Sequence, residues 1–338
     1  MSERDANNLP AEIGGALASI PQGLVPRSIK ALDRLVGAAI DIPASWLAQQ
    51  KAKIDAQSAG YAAVESAIAK AAAAEAGATP EIVGRAMEVL VRKAYRKEAN
   101  VQAAGVAALE DLRENEEANR AEAHDTTTEI DDDWLNVFER YAEDASTERM
   151  QRLWGRVLAG EIRRPGRYAI RTLRFLSEFS QKDAEVFTDF AVNCFGGIAP
   201  TKLAKPADKS DISDLLSLDA ADIIQGVGGL GLTNTMQFNE AGIAAKVERG
   251  LAIVFVGQPK EKLKTSAMII TPLGQELLSL LPNRDTLAAA RRVAHAMRCQ
   301  QTEAAYLYRV VNGSLAETPI EILWQNEEPD EDPDPHEG

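Results

Sequence analysis

Alanine restricts the fold of this chain more than any other feature of its sequence. It fills 56 of the 338 positions, about 17%, so the larger apolar residues make up only roughly 28% of a chain that is 45% hydrophobic. Alanine is the strongest helix former and adds little volume to a core. We therefore predict a mostly α protein built from thin helical layers and divided into two or three domains.

Residues that hold metals or form disulfides are scarce. The chain has three histidines and two cysteines, and Cys194 and Cys299 lie far apart. This scarcity argues against a metal cage and against a disulfide framework. The chain opens with no basic and apolar leader and contains no run of 18 apolar residues. We expect a cytoplasmic protein without a metal or a cofactor.

The sequence contains no recognisable catalytic motif. His124, His295 and His336 do not lie near a nucleophile and a carboxylate in a known arrangement. The glycines of residues 226–231 have the spacing of the dinucleotide-binding motif. That motif follows a strand and precedes a helix, whereas here a helix is predicted before the glycines and a strand after them. We predict a flexible turn there, and we expect no catalytic residues and no enzymatic activity.

Charge is distributed in blocks along the chain. The net charge is −14, with 15 acids against three arginines in residues 110–148 and seven acids without a base in residues 326–338. Residues 149–174 are basic, with Glu161 as their single acid. Their eight arginines are Arg149, Arg152, Arg156, Arg163, Arg164, Arg167, Arg171 and Arg174. Opposite blocks of one chain screen each other or pair.

These eight arginines are the candidate interaction surface of the sequence. Guanidinium groups bind carboxylates and phosphates. The arginines therefore suit three kinds of binding partner: the chain's own acidic block, an acidic protein partner or a nucleic acid. We expect pairing within the protein or with a protein partner. Nucleic-acid binding is the first alternative, and it requires an affinity that falls steeply with salt.

Residues 1–42 are predicted to form short N-terminal helices. Their apolar clusters have helical spacing, are interrupted by prolines and lie beside Arg27, Lys30 and Arg34. We expect these helices to pack on the protein or on a second copy. Attachment to an anionic membrane surface through residues 9–49 is the second alternative.

Residues 43–125 are predicted to form a long helical hairpin followed by an acidic linker. The first helix, over residues 43–78, has apolar residues spaced by seven. In the second helix Val83, Met87, Leu90, Ala94 and Val101 repeat in the 4-3-4-7 steps of a packed helix seam. We expect homo-oligomerisation through this hairpin.

Residues 126–197 are predicted to form a central four-helix domain. Asp131, Asp132 and Asp133 mark a helix start rather than a cation site, because carboxylates favour the positive end of a helix dipole. Ser146 or Thr147 is predicted to cap the next helix, and Ser180 with Asp183 has the spacing of a capping box.

The C-terminal half is predicted to contain a winged-helix-like module over residues 205–282, in which helices precede three strand-like runs. The helix placed to enter a DNA groove, over residues 219–225, carries two acids and no base, which disfavours DNA binding. Residues 283–325 are predicted to form a helix up to about Val311 and a following segment. Residues 326–338 are predicted to be a disordered acidic tail.

The segment DDDWLNVFERYAEDASTERMQRLWGRVLAGEIRRPGRYAIRTLRFLSEFSQKDAEVF, residues 131–187, resembles the signature of a bacterial domain-of-unknown-function family, number 2806 in that series. The run ITPLGQELLSLL, residues 270–281, is similar to the C-terminal part of that family. The resemblance marks as structural motif residues Asp133, Trp134, Trp154, Gly160, Glu161, Pro165, Gly166 and Thr172. It implies no reaction and no catalytic residue.

The chemistry of the motif suggests a tight helix corner. Gly160 allows close packing, Pro165 and Gly166 end the helix, and Glu161 is placed to pair with Arg164 or Arg171. The stretch LWGRVLAGEI within the motif also resembles, more loosely, an abortive-infection family of bacterial helical proteins, which implies a role in phage defence. We therefore expect a non-catalytic interaction or regulatory protein that forms homo-oligomers.

Overall fold

The computed structural model describes residues 20, 23–36, 80–115, 128–204, 212–228, 231–281, 284–311 and 313–326. These residues fall into two compact units, one within residues 1–178 and one within residues 179–338. The first predicted helix of the hairpin, over residues 43–78, lies outside the described residues, as do residues 327–338 of the predicted acidic tail.

The first unit is helical. Its helices are α1 (Val25–Val36), α2 (Pro80–Glu114), α3 (Asp132–Ala142), α4 (Glu148–Arg163) and α5 (Ile170–Glu178). The second half of α2 lies along α4 and buries small and branched side chains, including Val101, Ala104 and Ala108. No helix in the described ranges combines the length and the apolar character that crossing a bilayer requires.

The predicted helix starts in residues 126–197 are confirmed. Asp131 caps α3 by accepting a hydrogen bond from the Trp134 N–H at 2.9 Å, and Thr147 caps α4 through the Met150 N–H at 3.3 Å. Ser180 and Asp183 form a reciprocal capping box at the start of α6. Each cap satisfies backbone donors that the helix itself leaves open.

Aromatic rings fill the contact between α3 and α4. The Phe138 ring stacks on Trp134 with centroids 5.4 Å apart and meets Trp154 edge-on at 5.5 Å. Trp134, Phe138 and Trp154 are all buried. Such pairs favour offset stacking and edge-to-face geometry, so the motif tryptophans orient the two helices.

The second unit combines helices with two antiparallel sheets. Its elements are α6 (Gln181–Ala191), β1 (Ile198–Pro200), α7 (Thr201–Ala204), α8 (Ile212–Ala220), β2 (Ile224–Gln225), β3 (Leu232–Gln237), β4 (Ile243–Glu248), β5 (Leu251–Val256), β6 (Lys262–Ile270), α9 (Pro272–Leu280), α10 (Thr286–Ala296), β7 (Ala304–Val311), β8 (Ser314–Leu315) and β9 (Glu321–Gln325).

In sheet A, β6 is central and pairs with β1 on one edge and with β2 and β3 on the other. In sheet B, the order is β4, β5, β7, with β8 and β9 both pairing with β7. Residues of both sheets share one core with α10, in which Phe255, Leu263, Val293 and Leu307 are fully buried.

The prediction of a mostly α fold with a winged-helix-like module is wrong. The predicted strand runs correspond to β3, β5 and the end of β6, but sheet B contains four further strands that the sequence interpretation missed. The helix predicted from residue 284 to about Val311 ends at Ala296, and its second part is β7. The helix predicted over residues 219–225 ends in β2 instead.

Candidate interaction surfaces

The eight arginines of residues 149–174 differ in exposure. Arg163 is buried, and Arg156 and Arg167 are half-buried. The exposed members are Arg149, Arg152, Arg164, Arg171 and Arg174. The sequence grouped these residues by charge alone, whereas the fold separates them into internal and surface groups.

Arg163 joins the basic block to the acidic block inside the protein. Its guanidinium donates to the Asp111 carboxylate at 2.5 Å and to the Asp111 carbonyl at 3.0 Å. The two side chains are 7% and 14% exposed, so the pair is largely shielded from water. It ties the end of α4 to the end of α2.

Arg27, which the membrane alternative counts among its basic residues, is buried in the protein. Its guanidinium donates to the carbonyls of Ile162 and Arg163 at 3.4 and 3.2 Å, at the C-terminus of α4. Lys30 pairs with Glu129 at 3.0 Å and with Asp132 at 3.3 Å. The apolar side chains Leu32 and Leu35 of α1 are also buried.

Other arginines of the cluster also have neighbours within the protein. Arg152 pairs with Glu148 at 2.6 Å, and Arg174 lies 3.5 Å from Glu178. The Arg167 guanidinium carbon lies 5.5 Å from the centroid of the Tyr168 ring. Burial lowers the pKa of Arg156, and the Asp111 carboxylate acts in the opposite direction. Much of the positive charge is therefore screened locally.

The corner between α4 and α5 is built around Glu161. This carboxylate is buried and accepts hydrogen bonds from the Gly166 N–H at 2.5 Å and the Tyr168 N–H at 3.1 Å. The pairing of Glu161 with Arg164 or Arg171 stays a prediction. Glu161 holds the backbone of the corner.

Other motif residues support the same corner. The Trp134 indole donates to the Tyr168 carbonyl at 2.8 Å. A Cβ on Gly160 would lie 2.6 Å from the Tyr168 ring, so glycine is needed for this ring to approach α4. Gly166, after Pro165, has φ +81°, a conformation that favours glycine. The motif is therefore structural.

Two more motif residues, Asp133 and Thr172, lie in α3 and α5. Asp133 is exposed in the first turn of α3, where its negative charge interacts favourably with the positive end of the helix dipole. Thr172 is buried in α5, and its hydroxyl has no hydrogen-bond partner. Among the described residues no group of histidines, cysteines and carboxylates has the arrangement of a metal site.

The predicted seam of α2 continues the face that packs on α4. Leu90, Ala94, Val101 and Ala108 lie on one side of the helix, because they are separated by whole helical turns. Val101 and Ala108 are buried, whereas Leu90 is 61% exposed. None of the described side chains between Arg85 and Ala99 is buried. This half of the seam is the clearest exposed apolar feature of the first unit.

The second unit contains a buried polar cluster that the sequence interpretation missed. Arg284, with a 3% exposed side chain, pairs with Glu248 and donates to the carbonyls of Ala191 and Cys194. Glu248 also accepts from the Gly196 N–H at 2.9 Å. Every partner lies at the end of α6, in the loop after it or in β4, so the cluster fixes that loop.

Two titratable groups beside this loop are shifted by burial. Lys246 donates to the Gly196 carbonyl at 3.3 Å, and burial lowers its pKa. Burial also raises the pKa of the Cys194 thiol, which keeps it protonated and unreactive. Glu248 follows the glycines of residues 226–231 at about the distance where a dinucleotide site has its acid, but its ion pair with Arg284 gives it a structural role.

The family comparison matches the DUF2806 model, described as a protein of unknown function, over residues 85–248. The match covers just under half of the chain. The predicted resemblance is thereby confirmed. The DUF2806 segment contains most of α2, the whole α4–α5 corner and the strands up to β4, whereas the run over residues 270–281 lies beyond it. No curated protein and no solved structure matches the chain.

Proposed function

We propose that this DUF2806 protein is a non-catalytic interaction protein whose α2 binds α2 of a second copy. One observation carries the proposal. A single face of α2 is apolar along the helix, but the described residues bury only its second half. A soluble protein gains stability by covering such a stripe.

The two halves of the face differ sharply in exposure. In the second half Ala104, Ala108 and Leu112 are fully buried. In the first half Leu90 is 61% exposed and Ala94 is exposed. The change occurs near Asn100, whose amide donates to the Glu143 carbonyl at 2.8 Å. Between Asn100 and Pro80, α2 extends beyond the start of α4.

A second α2 fits the exposed half better than an unrelated surface does. The 4-3-4-7 spacing of the seam is the pattern of one helix packed on another. The contact with α4 already shows that this face packs on a helix, with Gly155 against Ala107. Two identical helices related by a two-fold axis provide the same complementary seam to each other.

The charges around the exposed half also suit a helix pair. Lys97 pairs with Glu143, and Arg92 pairs with Glu88 on the same helix. The flanks of the seam therefore carry acids as well as bases, and opposite charges of two copies can pair across it, as flanking charges do in coiled coils. The seam supplies the apolar contact, and the flanks favour one register.

Substitution of Leu90 by glutamate tests the proposal. Leu90→Glu places a carboxylate in the seam, and we expect the molar mass measured by sedimentation equilibrium to fall relative to that of the unchanged chain. Arg96→Glu is the matched control, because Arg96 is exposed on the opposite side of the same helix. A mass that Leu90→Glu leaves unchanged overturns the proposal.

The other interpretations of the sequence stay predictions. Nucleic-acid binding is disfavoured by the local partners of Arg152, Arg163 and Arg174. Membrane attachment is disfavoured by the internal contacts of Arg27 and Lys30. A cytoplasmic location is supported by the free thiols Cys194 and Cys299. The phage-defence setting rests on the looser sequence likeness alone.

A further inference from the structure

The face of sheet A that is turned away from the core is polar and positively charged. Met236 of β3 and Leu263 of β6 pack in the core, so the alternate residues of these two strands form the outer face. Its six residues are all exposed and form three cross-strand pairs: Thr233 with Ser266, Thr235 with Lys264, and Gln237 with Lys262. We call these six residues the lysine face of sheet A.

The two ammonium groups of the lysine face have no anionic partner in the part of the chain that the structure describes. Other bases of the second unit are paired, such as Arg284 with Glu248 and Arg291 with Glu321, whereas Lys262 and Lys264 are not. The neighbouring residue Lys260 is also exposed, but it lines the same cleft as Glu240. Lys262 and Lys264 are therefore the positions at which a carboxylate from elsewhere would bind.

The C-terminal segment, residues 327–338, carries charge of the opposite sign in a regular pattern. It contains seven acids and no lysine or arginine. Four acids occupy alternate positions, and we call them the acidic row: Glu328, Asp330, Asp332 and Asp334. Prolines occupy three of the positions of the other parity: Pro329, Pro333 and Pro335. A proline favours an extended backbone at the residue before it, and alternate side chains of an extended backbone share one side.

The spacing of the acidic row equals that of the two lysines. Lys262 and Lys264 are two residues apart on β6, and side chains two apart on an extended chain are about 6.6 Å apart. Two successive carboxylates of the acidic row can therefore meet both ammonium groups at once. The acids of the other parity are four and six positions apart, so they lack this match: Glu327, Glu331 and Glu337.

Asn326, from which the C-terminal segment continues, lies close to the start of β6. Its N–H donates to the Glu303 carbonyl at 2.8 Å, and the Glu303 carboxylate accepts from the Gln258 amide at 2.9 Å. Gln258 belongs to the turn that leads into β6, whose first residue is Lys262. An extended chain covers about 3.3–3.6 Å per residue, so the eight residues from Glu327 span roughly 26–29 Å. The acidic row can therefore reach the lysine face.

We propose that the lysine face of sheet A binds the acidic row of the same chain. Single ion pairs at a surface contribute little. A tethered segment, however, has an effective concentration in the millimolar range, so a weak contact suffices to keep it bound. A separate acidic protein at ordinary concentration would have to bind far more tightly to the same two lysines. The contact does not involve α2 and is independent of the proposed dimer.

Zero-length cross-linking of the full-length chain tests this contact. A carbodiimide joins a lysine to a carboxylate only where the two groups touch, and mass spectrometry identifies the joined residues. We expect residues 327–338 to be joined to Lys262 or Lys264 several-fold more often than to Lys182, which is exposed on α6 of the same unit. We expect high salt to remove this preference, because surface ion pairs are screened. Equal yields at low salt overturn the proposal.

A mixture of isotope-labelled and unlabelled chains shows which copy supplies the segment. Cross-linked peptides from one chain carry a single label state, whereas those formed between two chains carry both. We expect single-label products to dominate in the unchanged chain and in Leu90→Glu alike, so that failure of the α2 dimer does not affect the result. Mixed-label products in the proportion expected for random pairing overturn binding within one chain.

Matched substitutions in the C-terminal segment test the acidic row itself. The first variant removes three of its carboxylates by Asp330→Asn, Asp332→Asn and Asp334→Asn. The second variant removes three charges of the other parity by Glu327→Gln, Glu331→Gln and Glu337→Gln. Because nearby carboxylates favour the charged form of a lysine, which does not react with an acylating reagent, acetylation rates measured by mass spectrometry report the contact.

We expect Lys262 and Lys264 to be acetylated several-fold faster in the first variant than in the unchanged chain, while Lys182 keeps its rate. We expect the second variant to resemble the unchanged chain. Equal acceleration in both variants overturns the acidic row as the bound element. Unchanged rates in both variants overturn the contact altogether.

Discussion

Gly155 and Gly160 lie one and a half turns apart on α4 and face different neighbours. A Cβ on Gly155 would lie 2.5 Å from the Ala107 Cβ and 2.8 Å from the Ala107 carbonyl carbon. A Cβ on Gly160 would meet the Tyr168 ring. Sequence reasoning predicted that glycine permits close packing at position 160, but it could not identify the ring, because that contact depends on the corner held by Glu161.

We expect Gly155→Ala to lower the free energy of unfolding by about 1–3 kcal/mol, because the added methyl group meets backbone atoms that cannot rotate away. Urea denaturation followed by circular dichroism measures the change. The control is Gly228→Ala, since a Cβ there meets nothing within 4 Å. Equal unfolding energies for the two variants would contradict this account of the α2–α4 contact.

The junction of α2 with α4 depends on the ion pair between Asp111 and Arg163. Asp111→Asn or Arg163→Met leaves the partner charge buried without compensation, and we expect each change to cost about 3–5 kcal/mol. We expect the double variant to cost clearly less than the sum of the single changes, which chemical denaturation of all four proteins measures. Additive costs would show that the two residues do not stabilise the junction as a pair.

Three helix starts were predictable from the sequence, and four of the five strands of sheet B were not. Asp131, Thr147 and Ser180 act through neighbours within three residues, so their spacing alone identifies them. β7 follows α10 after a short turn at Thr302, and its alanines continue the helical composition. The alternating tyrosines and valines of β7 indicate a strand, but its pairing with β5 is a long-range contact that spacing does not reveal.

The same distinction applies to the two candidate surfaces. The exposed seam of α2 was predictable, because helical periodicity is a local pattern in the sequence. The arginine cluster was visible as composition, but the burial of Arg163 followed from tertiary packing.

At the scale of the whole molecule, local pairing of the arginine block predicts weak binding to polynucleotides. We expect fluorescence anisotropy to detect no binding of a single-stranded or duplex oligonucleotide tighter than about 1 µM at physiological salt. We expect Arg149→Gln, Arg164→Gln and Arg171→Gln together to leave this result unchanged. Tighter binding that the three substitutions weaken would contradict the assignment of the block to internal pairing.

The bond between Arg27 and the end of α4 joins residues 135 and 136 positions apart in the chain. Ribosomes add about 5–20 residues per second, so α1 would wait roughly 7–27 s before its partner carbonyls are synthesised. During that interval α1 can pack on α2, which is synthesised earlier, but it lacks the contact with α4 that holds Arg27. The first unit therefore cannot close around α1 until about half of the 338-residue chain has been synthesised.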